Sequence, residues 1–274
     1  MASDLMKKCR KCFNDVKSVR WKEIVSGSFR FCVNPKAFIP LLIVNAFVLG
    51  ISAQLGTFAV LSDTQALSYL TTADIVNMGI LITAMLLFTL IVGPFVSGAV
   101  IHLSRSTGSY RESWKTSFSR LSSLVGASVA IITVMVLLSV IPVIGIFFTF
   151  IASIAFMFAM QVIIFGDKGF YSALRASASA LRKKPGVVVA GWVTDAVLST
   201  IIYGIFMAPL MFLVSGLSAG ALETLDYMGL ASLGAPFYMA VFSLLFGASL
   251  KTSFELKFFT ELYFQLKKKK WLAL

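Results

Sequence analysis

Five long apolar runs, separated by short polar stretches, dominate this chain: Ala37 to Leu61, Met78 to Ile101, Leu124 to Phe165, Val187 to Val214 and Leu230 to Leu250. A helix rises 1.5 Å per residue, so about 20 apolar residues cross a hydrocarbon layer ~30 Å thick. The third run has 42 residues with Pro142 and Gly145 near its middle. It reads as two crossings joined by a tight turn at Ile141 to Gly145. The pattern therefore predicts an all-α, polytopic membrane protein with six transmembrane helices.

The polar stretches carry a second periodicity. Starting from Trp21, Tyr110 and Phe170, offsets of 3, 4, 7, 8 and 11 trace one helical face. They give Ile24, Val25, Ser28, Phe29 and Cys32; then Ser113, Trp114, Ser117, Phe118 and Leu121; then Ala173, Leu174, Ser177, Ala178 and Leu181. An aromatic residue opens each set and a serine stands at the seventh offset. Each segment reads as a short amphipathic helix lying in the membrane plane, held by Trp21, Phe29, Trp114, Phe118, Phe170 and Leu174 with its charges toward lipid headgroups. Pro35 and Pro185 mark the bend from in-plane to crossing helix, and the middle segment has Ser122-Ser123 there instead. The expected plan is a basic N-terminus over residues 1–20, a six-helix domain over 21–266 built of tandem units at about 21–103, 110–165 and 170–266, and a basic tail over 267–274. Even-numbered crossings make such repeats parallel, related by an axis along the bilayer normal.

Charge adds a direction. Nine of the 24 Lys and Arg lie in residues 1–36, four between Arg105 and Arg120, five between Lys168 and Lys184 and six between Lys251 and Lys270. The alternate loops hold only Asp63, Asp74, Glu223 and Asp226. In a six-crossing thread every cation falls on one side, which the positive-inside bias makes the cytosol, with both termini there and the protein multi-pass in the cell membrane. The net charge of +12 is thereby accounted for without a nucleic-acid partner. No leader of ~7–15 apolar residues opens the sequence, so the first span is expected to act as an uncleaved anchor. The last span continues without Gly or Pro from Ala248 to Leu266, with Lys251/Glu255 and Lys257/Glu261 spaced for pairing. The Lys267 to Lys270 run reads as a stop-transfer anchor, or as a lipid- or partner-binding tail.

Chemistry is poorly supplied. His102 is the single histidine, and its place at the end of the second span suits an interfacial hydrogen bond better than catalysis. Cys9 and Cys12 form a C-x-x-C without a second Cys or His pair nearby, so no metal site is expected; free or lipidated thiols fit better. No zinc-protease, serine-hydrolase or phosphate-loop pattern occurs, and no cofactor is implied. One acid falls inside the runs, Asp195, with Trp192, Ser199 and Tyr203 on its helical face, Asn45, Gln54 and Gln161 available from other spans, and Lys251 able to snorkel toward it. It either binds a cation or relays a proton, or it is hydrogen-bonded glue between helices. Small residues, among them Gly98, Gly126, Ala152 and Gly247, suit close helix contact, and Pro94 and Pro209 interrupt the second and fifth spans.

Phe31 to Pro40, an amphipathic helix ending in Asn-Pro before a proline-containing span, resembles a broad family of bacterial and archaeal six-helix membrane proteins, as does Gly169 to Ser177 followed by Arg182-Lys183-Lys184-Pro185. The family includes the membrane domain found beside glycerophosphodiester phosphodiesterases. The phosphodiesterase domain itself is missing from this chain, so the resemblance implies a membrane module and no enzymatic activity. The expected function is a non-enzymatic scaffold presenting Arg111, Lys115, Arg175, Arg182, Lys183 and Lys184 to anionic inner-leaflet lipid, to a protein partner or to a second copy. The alternative is a small-solute or ion transporter centred on Asp195, with a membrane-bound enzyme of lipid metabolism behind both.

Overall fold

The structure, a computed structural model, describes residues 12–61, 72–105, 109–141, 144–215 and 234–268. Three amphipathic helices begin at the three aromatic residues that mark the repeat: α1 (Trp21–Cys32), α5 (Tyr110–Ser119) and α9 (Phe170–Lys183). Ser109 caps α5, accepting from the Glu112 amide at 3.3 Å with the Glu112 carboxylate in the positive first turn.

The crossing helices come in pairs. The first legs are α2 (Pro35–Leu61), α6 (Leu121–Ser139) and α10 (Pro185–Ser215). The second legs are α3 (Thr72–Leu87) continuing into α4 (Gly93–Leu103), α7 (Ile144–Phe156) continuing into α8 (Ala159–Gly166), and α11 (Ala235–Lys268). Among the described residues six helices are long and apolar enough to span a bilayer. Their outer faces expose Ile43, Ile80, Val136, Phe147, Ile201 and Phe212, a surface that water would not tolerate and acyl chains would. The chain is thus an all-α, polytopic membrane protein with six spanning helices in three tandem units.

The prolines act differently from one another. Phe88–Val92 is a π-helical turn just before Pro94. Pro94 lacks an amide proton and its ring crowds the carbonyl four residues back, and the wider turn relieves both. Contrary to expectation, α10 runs through Pro209 unbroken, as α2 does through Pro40. The other second-leg break, at Met157 and Phe158, has no proline. Helix α11 extends well past the apolar run, as expected, and both of its expected i,i+4 ion pairs form, Lys251 with Glu255 at 3.0 Å and Lys257 with Glu261 at 2.6 Å. The C-x-x-C partner Cys9, Pro142, the loop acids Asp63, Glu223 and Asp226, and Lys269 and Lys270 lie outside the described residues.

Packing follows a pseudo-threefold plan. The inner halves of the second legs, α4, α8 and α11, touch one another at the centre. Each first leg lies against its own second leg and that of the preceding unit: α2 on α4 and α11, α6 on α8 and α4, α10 on α11 and α7. Each amphipathic helix packs chiefly on the second leg of the hairpin before it, so α5 lies on α4 and α9 on α7 and α8. The amphipathic helix α1 packs on α11, the second leg of the third unit. The ring therefore closes through the two ends of the chain. One apolar core crosses all three units, including Ile24, Ile101, Leu124, Phe158, Val162 and Phe258.

Candidate functional site

The face expected to rest on lipid divides in two. Offsets 3 and 7 are buried against protein: Ile24 and Ser28, Ser113 and Ser117, Ala173 and Ser177. The aromatic rings split between the two surroundings. Phe29 packs on Phe254 at 4.9 Å, Trp114 on Phe95 at 5.2 Å and Trp21 on Phe258 at 6.5 Å. Phe29, Phe118 and Phe170 still expose 42%, 69% and 44% of their surface at the rim, and Leu174 is half-buried. Aromatic groups at that level suit the headgroup boundary.

The repeated serine has a structural task. The Ser117 hydroxyl donates to the Phe95 carbonyl of α4 at 2.5 Å, and the Ser177 hydroxyl donates to the Ala155 carbonyl of α7 at 2.7 Å. Ser177 Oγ also accepts from the Phe158 amide at 3.1 Å, filling a bond left open by the break between α7 and α8. Ser28, equally buried, donates instead to Ile24 of its own helix at 2.8 Å; its facing leg, α11, is unbroken and offers no vacant amide. Periodicity revealed the serine but not its partner, since the partner belongs to another element. His102 has the structural role expected of it, Nδ1 lying 3.1 Å from Ser113 Oγ with the ring stacked on Phe165.

On the basic face most of the acids are engaged within the fold, Glu112 at the exposed head of α5 being the exception. Glu261 binds Arg105 at 2.9 Å as well as Lys257, which also donates to the Ser104 carbonyl, tying α4 to α11. Arg120 pairs with Asp167, which sits in left-handed backbone at the end of α8 (φ 53°), a conformation that a short polar side chain tolerates. Lys184 pairs with Asp15 at 2.6 Å, so this member of the expected basic set serves an internal contact. Arg111, Lys115, Arg175, Arg182 and Lys183 are exposed and make no ion pair among the described residues. Burial pushes the Cys32 thiol above its ordinary pKa, as expected of an inert packing residue.

The intramembrane candidates are only partly brought together. Asn45 and Asp195 occupy the same place in two units, ten residues after Pro35 and Pro185. Asn45 Nδ2 donates to Ser249 Oγ of α11 at 3.1 Å. Asp195 is 6% exposed, and its Oδ1 accepts no hydrogen bond among the described residues. Gln161 is buried on α8, a different second leg, with Oε1 likewise unpartnered. The side chain of Gln54 is outside the described residues.

Beside Asp195 runs a groove whose floor is α11 and whose walls are α2 and α10. Its polar part, about 390 Å³, is lined by Asn45, Ser199, Thr200, Tyr203, Lys251 and Thr252. An adjoining apolar part, about 180 Å³, shares Asn45 and Tyr203 and adds Val48, Leu49, Leu244 and Leu245. Spacing from Asp195 singled out Ser199, Tyr203 and Lys251. Thr200, Ser249 and Thr252 gave no signal, because their role depends on which faces of three helices meet. Compared with models of protein families, with curated proteins and with solved structures, the chain matches none.

Proposed function

We propose that this protein is a non-enzymatic membrane scaffold, placed in the cell membrane with both ends of the described chain toward the cytosol, whose basic face gathers anionic lipid headgroups. One observation carries the reading. Of the described acids, Asp15, Glu23, Asp167, Glu255 and Glu261 are held in ion pairs and Glu112 stands exposed at the head of α5, while the more numerous Arg111, Lys115, Arg175, Arg182 and Lys183 point outward from two of the three amphipathic helices. Basic groups near an anionic leaflet contribute about 1 kcal/mol each. The likeness to six-helix membrane modules fits this reading, as would a protein partner with an acidic surface.

The test reconstitutes the full chain in mixed phosphatidylcholine and phosphatidylglycerol bilayers, excises discs with copolymer and weighs their lipids. Phosphatidylglycerol is expected to be enriched around the wild type at 0.1 M salt and to approach the bulk ratio at 1 M, where the screening length falls from about 10 Å to about 3 Å. The variant R111Q/K115Q/R175Q/R182Q/K183Q is expected to show, at both salts, no more than the small residual enrichment that the wild type keeps at 1 M. Equal enrichment around variant and wild type overturns the proposal.

A second reading, ion transport, is favoured by one feature: a carboxylate enclosed among spanning helices with an oxygen left unbonded, the kind of group that intramembrane relays employ. Proteoliposomes loaded with a pH-sensitive dye test it directly. A relay predicts proton flux under an imposed pH gradient that Asp195→Asn abolishes while the protein still inserts. Identical flux in wild type and variant rules it out.

A further inference from the structure

We propose that the groove between α2, α10 and α11 is a binding site for one anionic phospholipid, its phosphate at Lys251 and one acyl chain along Val48, Leu49 and Leu245. This site is distinct from the basic face, and its argument does not depend on the scaffold reading.

Four observations converge on it. The groove grades from polar to apolar along its length, the order of groups in a phospholipid. Its polar part lies on the side nearer the basic face, because Lys251 begins the segment of α11 against which α1 packs through Phe254 and Phe258. Ser199 is 2% exposed, lines the polar part and has its hydroxyl turned toward Asp195 one helical turn before it; a phosphate oxygen in the groove offers that hydroxyl an alternative acceptor. The outer faces of the walls α2 and α10 expose the apolar side chains Ile43, Phe47, Val197 and Ile201, so these helices stand in bilayer, and the ligand that reaches the groove sideways is lipid.

Departures from the threefold plan make the site unique to this leg. Phe95 meets Phe118 and Phe254 meets Phe29, each the eighth-offset residue of its amphipathic helix. Ser117 and Ser177 reach Phe95 and Ala155. Phe254, Phe95 and Ala155 are therefore equivalent, and three residues earlier in each leg stand Lys251, Val92 and Ala152. Of these three equivalent residues Lys251 alone carries a charge. Lys251 keeps Glu255 as a partner at 3.0 Å, so the ammonium is held in place before a phosphate arrives. Charge-assisted bonds of this sort, partly buried between spanning helices, are screened less by salt than an exposed basic patch.

The experiment is native mass spectrometry of the full chain in detergent, stripped of loosely held lipid at 1 M salt and then titrated with phosphatidylglycerol or phosphatidylcholine. The wild type is expected to retain one phosphatidylglycerol and to prefer it to phosphatidylcholine by at least about tenfold, equivalent to 1.4 kcal/mol. Lys251→Met is expected to erase that preference and Lys251→Arg to keep it. Ala248 lines both parts of the groove, and Ala248→Trp, which fills their junction, is expected to abolish retention of either lipid. The variant R111Q/K115Q/R175Q/R182Q/K183Q is expected to behave as wild type here, so loss of the surface reading and loss of this one are separable. Retention unchanged in both Lys251→Met and Ala248→Trp, or equal retention of the two lipids by the wild type, overturns the proposal.

Discussion

Replacing Gly98 by alanine is expected to lower the thermal midpoint of the detergent-solubilised protein by roughly 3–10 °C. A Cβ there would stand 2.6 Å from Ser117 Oγ, 2.7 Å from Leu124 Cδ1 and 3.3 Å from Ile164 Cδ1. Those atoms come from α5, α6 and α8, so the methyl group pushes on three elements at the point where they converge on α4. Overpacking of a tight core costs about 1–3 kcal/mol, and in a chain of this size each kcal/mol is worth about 2–4 °C. Ser117 has little room to retreat without stretching its bond to Phe95. Gly50→Ala is the control: nothing lies within 4 Å of the added atom, and alanine is the better helix former by about 0.5–1 kcal/mol. The two substitutions should move the midpoint in opposite directions. A Gly98→Ala protein as stable as wild type would refute the close convergence of α4, α5, α6 and α8.

The repeated serine gives the second large effect, and an asymmetric one. Ser177→Ala removes the acceptor of the Phe158 amide and a donor to Ala155 in one step. Leaving buried backbone groups unbonded costs about 1–3 kcal/mol, and at membrane depth no water repairs the loss. Ser28→Ala removes a bond to a carbonyl of its own helix, a kind of bond that contributes little to helix stability, so its effect is expected to stay within about 0.5 kcal/mol. Denaturant or thermal unfolding of the two variants, side by side, measures the difference. Equal losses would mean that the break between α7 and α8 does not rely on Ser177.

Much of this architecture is legible in the residues. Trp21, Tyr110 and Phe170 open helices where periodicity places them, because aromatic and serine positions at helical spacing report a face irrespective of what covers it. The apolar runs predict the crossings because hydrocarbon demands length and composition and little else. What periodicity cannot report is the identity of the covering surface. The amphipathic faces suit a lipid boundary and a neighbouring helix equally well in composition, and only the three-dimensional arrangement assigns most of each face to protein. The π-helical turn at Phe88–Val92 is explained by Pro94 once seen, whereas Pro209 in a similar setting leaves α10 intact; the outcome depends on packing that a single helix does not encode. At the candidate site, Asp195 stands out through rarity and Lys251 through reach, but Thr200 and Thr252 are ordinary residues made relevant by the meeting of α2, α10 and α11.

The closure of the ring through α1 and α11 has a bearing on biosynthesis. Residues 21–32 are translated well before the surface they cover, around Phe254 and Phe258, which follows more than roughly 220 residues later. At ~5–20 residues per second the opening helix waits on the order of ten to forty seconds for its seat. During that interval Ile24, Phe31 and Cys32 have only the nascent bilayer surface, or a chaperone, to shelter them.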